Sequence, residues 1–177
     1  MNQEPDYQLI PNQVEYLQLD PNGALPNVSK LAPFKAIVVI DGECSPEWQD
    51  EVSRWLVESG CLYMMAWGPD CSNWDDTVDH AVRVAYPGPE TPDDKFVMTT
   101  WHADESLEEV FWFAQFCAQF SYNDVELSRA LIAHIGQSDR KAEFLELFGQ
   151  SWTWADRQPD EPNPMRLKEW LRNLFRR

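Results

Sequence analysis

The sequence predicts an α/β fold: a small three-layer domain with a short, mostly parallel sheet of three core strands and a helical C-terminal extension. Three observations carry that expectation. Between residues 34 and 120, short apolar runs alternate with amphipathic stretches of helical spacing, an order that sets strands in parallel and helices on the sheet faces. The run at 34–41 is short, β-branched and mainly apolar, ending in Asp and followed by Gly, the pattern of a strand covered on both faces. The chain has 177 residues, 44% of them hydrophobic, with nine Trp and nine Phe. A chain of that size buries roughly 70% of its unfolded surface around one core.

The elements follow in order. Residues 1–33 contain Pro5, Pro11, Pro21, Pro26 and Pro33, too closely spaced for a long helix, since each proline removes a donor and clashes with the preceding turn. With "DPNG" at 20–23 reading as a turn, they predict an irregular, Pro-rich lead-in. "FKAIVVID", 34–41, is the first strand. "SPEWQDEVSRWLVESG", 45–60, is a helix with Ser45 as cap, Pro46 at its first position and Gly60 as its stop. Its apolar face is Trp48, Val52, Trp55 and Leu56. "CLYMMAW", 61–67, leaves that glycine as the second strand.

Residues 74–85 read as a helix, with Asp75, Asp76 and Asp79 towards the positive end of its dipole. After the loop "YPGPETPDD", "KFVMTTWH", 95–102, is the third strand. A helix over 104–120, capped by Asp104, is apolar nearly all round, which places it between the sheet and further structure. That cover is expected from three amphipathic helices at 123–135, 138–148 and 164–176. The division is thus a lead-in over 1–33, an α/β domain over 34–120 and a helical extension over 121–177, packed on the same core.

Charge narrows the partners. Thirty acids against fourteen Lys and Arg give a net charge of -16. Arg166, Lys168, Arg172, Arg176 and Arg177, against Glu169, make the last thirteen residues +4 and leave residues 1–164 at -20. Such a body repels nucleic acid and anionic lipid, so the expected partner is a basic protein. The basic end "MRLKEWLRNLFRR" has Met165, Leu167, Leu171, Leu174 and Phe175 as its apolar set. Docking onto the protein's own acidic, aromatic body is expected ahead of a membrane surface or nucleic acid. The sequence shows no signal peptide and no apolar run near the roughly 20 residues of a transmembrane segment, so the cytoplasm is expected. Cys44, Cys61, Cys71 and Cys117 form no Cys-x-x-Cys pair and are expected as reduced thiols. With seven glycines and no Gly-x-Gly-x-x-Gly, Walker-type or Gly-x-Ser-x-Gly segment, no cofactor is expected.

Open α/β sheets bind ligands beyond the carboxyl ends of their strands. There the sequence places Asp41, Glu43 and Cys44, then Trp67, Asp70, Cys71 and Ser72, then Thr99, Thr100, Trp101 and His102. One reading makes Cys71 a nucleophile at a helix start, with His102 as base and Asp70 orienting it. Against it, Asp70, Asp75 and Asp76 raise the thiol pKa, and cysteine commonly serves as a small buried hydrophobe. Another gathers Cys44, Cys71, His102 and a carboxylate around zinc, or Asp41, Glu43, Asp70 and Asp75 around magnesium. No spacing motif supports the zinc set, and the magnesium set lacks a lysine or threonine partner at a matching strand end, so no metal is expected. Trp101 and Trp67 are candidate ligand contacts. His80, and His134 inside a helix "LSRALIAHI", are expected to be structural.

The run "SGCLYMMAWGPDCSNWDDTVD", followed by "FVMTTWH" and "EEVFWFAQF", resembles a bacterial domain of unknown function over about residues 34–118. The resemblance implies no activity and lends no catalytic residue. The expected function is that of a non-enzymatic acidic interaction protein binding a basic partner, of the toxin-inhibitor or bacterial defence-complex type. The alternative is an enzyme or metalloprotein working through Cys, His and Asp at the strand ends.

Overall fold

The run Phe34–Ile40 is buried at every position, as a strand with layers on both faces must be. In the computed structural model, which describes residues 13–119 and 125–154, it lies at the centre of a five-stranded sheet. The chain runs β1 (Gln13–Leu19), β2 (Phe34–Ile40), α1 (Pro46–Glu58), β3 (Cys61–Trp67), α2 (Asn73–Ala85), β4 (Met98–His102), α3 (Leu107–Phe116), β5 (Arg129–Ile135) and α4 (Lys141–Gln150). Every pairing is parallel, in the spatial order β1-β5-β2-β3-β4.

Strand alternation divides the core into two layers. Phe34, Ala36, Val38 and Ile40 of β2 face α1 and α2 and pack with Trp48, Val52, Leu56, Trp74 and Val78. Ile37 and Val39 face the other way, onto Val110, Phe111 and Ala114 of α3 and Phe144 and Phe148 of α4. Right-handed crossovers account for this layering. The steps β2 to β3 to β4 move in one direction across the sheet, whereas β4 to β5 steps back past β3 and β2, so its helix crosses the opposite face.

The α/β class and the parallel sheet stand as predicted, but the sheet has five strands rather than three. β1 lies in the stretch read as irregular. Its prolines, Pro11 and Pro21, fall outside Gln13–Leu19 and leave its seven donors intact. β5 lies where a helix over 123–135 was expected. A short, mainly apolar run satisfies either period, and the position between β1 and β2 decided for a strand, buried from Ala130 to Ile135. The single sheet therefore draws one strand from the expected lead-in and one from the expected extension. Of that extension, α4 matches the helix expected at 138–148, while 164–176 lies outside the described residues.

Helix starts differ in detail. Ser45 caps α1 as predicted, its Oγ accepting the Trp48 N–H at 3.2 Å, and Pro46 stands first in the helix. The cap of α3 is Ser106, accepting from the Glu109 N–H at 3.2 Å, not Asp104. The turn from β3 into α2 needs Gly68, whose φ of 115° is a left-handed value. A Cβ there would lie 2.4 Å from the Ile40 carbonyl oxygen. Among the described residues, no helix is long and apolar enough to cross a membrane.

Candidate functional site

The carboxyl ends of β2 and β5 lie side by side, yet β2 leads to α1 on one face and β5 to α4 on the other. Neighbouring chains that diverge in this way mark the crevice position where such sheets usually bind ligands. The residue row that ends the sheet on the α3/α4 face is Gln18, His134, Val39, Trp67 and His102. It carries a histidine on β5 and another on β4, three strand spacings apart. At ~4.8 Å per spacing that is about 14 Å, so the two histidines serve separate clusters.

At the crevice His134 is wholly buried. Its Nδ1 is 2.8 Å from the Tyr16 hydroxyl and its Nε2 is 3.3 Å from Asp41 Oδ2. A carboxylate only accepts, so Nε2–H donates to Asp41, while Nδ1 shares a hydrogen bond with the Tyr16 hydroxyl. The Tyr16 oxygen in turn accepts the Arg140 backbone N–H at 3.0 Å. The Arg140 side chain donates to Asp41 Oδ2 at 2.8 Å and to both oxygens of Glu143, at 2.8 and 2.5 Å, and lies over the Phe144 ring. Burial pushes the Asp41 carboxyl up, but the hydrogen bonds from Arg140 and His134 outweigh it and hold the group below its ordinary value. Gly136 closes the cluster. A Cβ on it would lie 2.7 Å from His134 Nε2, so only glycine leaves the imidazole in place.

The second cluster surrounds His102. Its Nδ1 bonds the Glu105 carboxylate, its Nε2 is 3.1 Å from the Thr100 hydroxyl, and its ring packs edge-on against Phe113. Trp67 donates its indole N–H to the Glu105 carbonyl at 2.8 Å. The imidazole is thus turned into the α3 layer.

Cys71 goes the other way. It is 1% exposed in the α1/α2 core, and burial pushes its thiol up, partly offset by nearby backbone donors. The Cys71 thiol and the His102 ring therefore lie in different layers and form no nucleophile and base pair. Asp70 is exposed in the turn, in a left-handed conformation with φ of 53°. Cys44 is half-buried against the α1/α2 core, with its thiol also raised by burial. Glu43 is exposed and Asp75 half-buried. Among the described residues no three His, Cys, Asp or Glu side chains are placed to hold a metal ion, so neither the zinc nor the magnesium set assembles. All four cysteines are free.

Of the residues picked from sequence, Asp41 alone enters the crevice cluster. Its companions Tyr16, Gly136 and Arg140 were not singled out, and His134 was expected as a structural residue of a helix, because β1 and β5 were not read as strands. One signal was available: "ALIAHIG" closes on glycine after an apolar run just as "AIVVIDG" does. Every strand-end loop at this edge bears an exposed acid. Asp20 follows β1, Asp41 and Glu43 follow β2, Asp70 follows β3, Asp104 follows β4 and Asp139 follows β5, all exposed. Trp101, on β4 and 37% exposed, stands on the α1/α2 side, since it alternates with His102.

A family model described as a domain of unknown function, DUF7684, matches residues 14–151. The chain belongs to the DUF7684 family. The match begins within β1 and runs past α4, so the family's domain takes in all five strands of the sheet. No curated protein and no solved structure matches the chain.

Proposed function

We propose that this DUF7684 protein is a non-enzymatic, cytosolic interaction protein that binds a basic protein through the carboxyl edge of its sheet, in the manner of a toxin inhibitor or a subunit of a bacterial defence complex. The observation that carries this reading is the acid borne by every loop leaving a strand, with the exposed Trp101 beside them. Acids around an aromatic side chain suit Lys and Arg heads, which pair with the carboxylates and stack on the indole. The basic group nearest the crevice, Arg140, is already engaged by Asp41 and Glu143. The two histidines, by contrast, spend both ring nitrogens on neighbouring side chains, which is the use expected of structural groups.

Affinity capture from the source cells tests it. The full chain should retain a basic protein, and Asp70→Lys with Asp104→Lys should weaken that complex by about tenfold or more, ~1.4 kcal/mol, with the circular dichroism unchanged. A chain that purifies as a bare monomer without a partner overturns the reading, as does a partner indifferent to those charges. The Cys71 thiol should be inert to alkylation at neutral pH until the protein unfolds; a Cys71 as reactive as free cysteine would favour the enzymatic alternative.

A further inference from the structure

Helix α3 buries Val110, Phe111, Phe113 and Ala114 and turns a second aromatic set away from the sheet. Glu108, Trp112 and Phe116 follow one another four residues apart, so they share a face. Trp152 and Trp154, just beyond α4, extend that face. Ring centroids are 5.5 Å apart for Trp112 and Phe116, 5.3 Å for Trp112 and Trp154, and 4.8 Å for Phe116 and Trp152. Gln115 fixes the two pieces together by donating to the Phe148 carbonyl at 3.0 Å and to Ser151 Oγ at 2.7 Å. The result is a fixed aromatic platform whose Trp112 and Phe116 are half-buried and whose Trp152 is 39% exposed. Acids flank it, with Glu108 and Glu109 a turn before Trp112 and Glu146 bonded to Gln150 beside Trp152.

We propose that residues 165–177 of the same chain dock on this platform, their apolar set against the rings and their basic heads towards Glu108, Glu109 and Glu146. Three facts select this occupant. Leu167, Leu171, Leu174 and Phe175 recur at spacings that place them on one side of a helix, which matches an apolar strip the length of α3, about 15 Å for ten residues. The segment is +4 against a body of -20, so its charge complements the acids at the platform's rim. Finally, the tether begins at the platform itself. Residues 155–164 lead directly from Trp154, and ten residues reach at most about 35 Å, enough to set the segment down anywhere along α3. A tether that short holds its end at an effective concentration in the millimolar range, so even weak intrinsic contact keeps the site occupied. The platform lies on the α3 side of the sheet and Trp101 on the α1/α2 side, so this docking does not depend on the partner surface proposed above.

Two measurements on the full chain test it. Zero-length carbodiimide cross-linking should join Lys168 to Glu108, Glu109 or Glu146 within the monomer. Hydrogen exchange should show peptides covering 112–119 and 150–154 several-fold slower in the wild type than in Leu171→Glu with Phe175→Glu, whose substitutions lie outside the described sheet and helices. Equal exchange in the two proteins overturns the proposal. So do cross-links found only in a covalent dimer, which would make a second copy the occupant. Cosedimentation of the wild type with anionic vesicles, lost in the variant while exchange over α3 is unchanged, would give the segment to a membrane instead.

Discussion

Lys35 is the residue most at odds with its surroundings. It lies in the central strand and is wholly buried, and its ammonium donates to the carbonyls of Ala114 at 2.6 Å and Ala118 at 3.3 Å. Those carbonyls close the C-terminal end of α3, where a cation meets the negative end of the helix dipole. Burial nevertheless pulls the ammonium down to about 8 from 10.5. The sign of the consequence follows from proton counting. Between about pH 8 and 10.5 the unfolded chain holds this proton and the folded chain does not, so the Lys35 contribution to stability rises with pH across that window. The rise is on the order of 3 kcal/mol. Buried thiols such as Cys61, pushed up to about 12, oppose it at the alkaline end, so the comparison must be with Lys35→Met. Denaturant melts should show wild type gaining on Lys35→Met from pH 7.5 to 10; a constant difference would mean that the ammonium is not titrating there. Nothing in "FKAIVVID" announces this residue. A single lysine in an apolar strand is explained only by the helix end delivered to it from seventy-nine residues away.

At the scale of elements, local signals were readable where one residue type is needed for a backbone reason. Ser45, Pro46 and Gly60 marked α1 because an N-cap, a fixed φ and a left-handed C-terminal turn each demand them. α3 was placed correctly but its cap was assigned two residues early, since Asp104 and Ser106 are both good acceptors and the difference lies in where the β4 exit ends. Gly68 joins two elements under a tighter constraint than either cap. Its left-handed φ and the Ile40 carbonyl 2.4 Å from the Cβ position leave alanine no room. Gly68→Ala should cost more than 2 kcal/mol, through backbone strain and displacement of the end of β3 from β2, whereas Ser45→Ala should cost ~1 kcal/mol, the usual worth of a serine cap. Thermal melts of the two variants check the ranking, and a Gly68→Ala as mild as Ser45→Ala would contradict it.

Across the whole molecule the net charge of -16 sets acids against one another. Among the described residues, ion pairs such as Lys30 with Glu15 and Lys95 with Asp94 are exposed, and pairs of that kind contribute little. Self-repulsion therefore dominates the long-range electrostatics. Raising the salt from low ionic strength to about 0.15 M, where the Debye length is ~8 Å, should raise the melting temperature. A fall would show that attractive pairs outweigh the repulsion.

The sequence by itself determined the α/β class, the strands β2, β3 and β4, the first three helices and the acidity of the strand-end loops. These follow from periodicity, capping and composition, which act over a few residues. The tertiary structure alone decided that 129–135 is a strand and that 13–19 joins the same sheet, because a short apolar run takes its conformation from the neighbours that bond its backbone. With those two strands came the crevice position and the pairing of His134 with Tyr16 and Asp41, and the tertiary structure likewise set Cys71 and His102 in opposite layers. Each depends on which face a side chain takes in a sheet, and that parity is set by register between strands far apart in the chain.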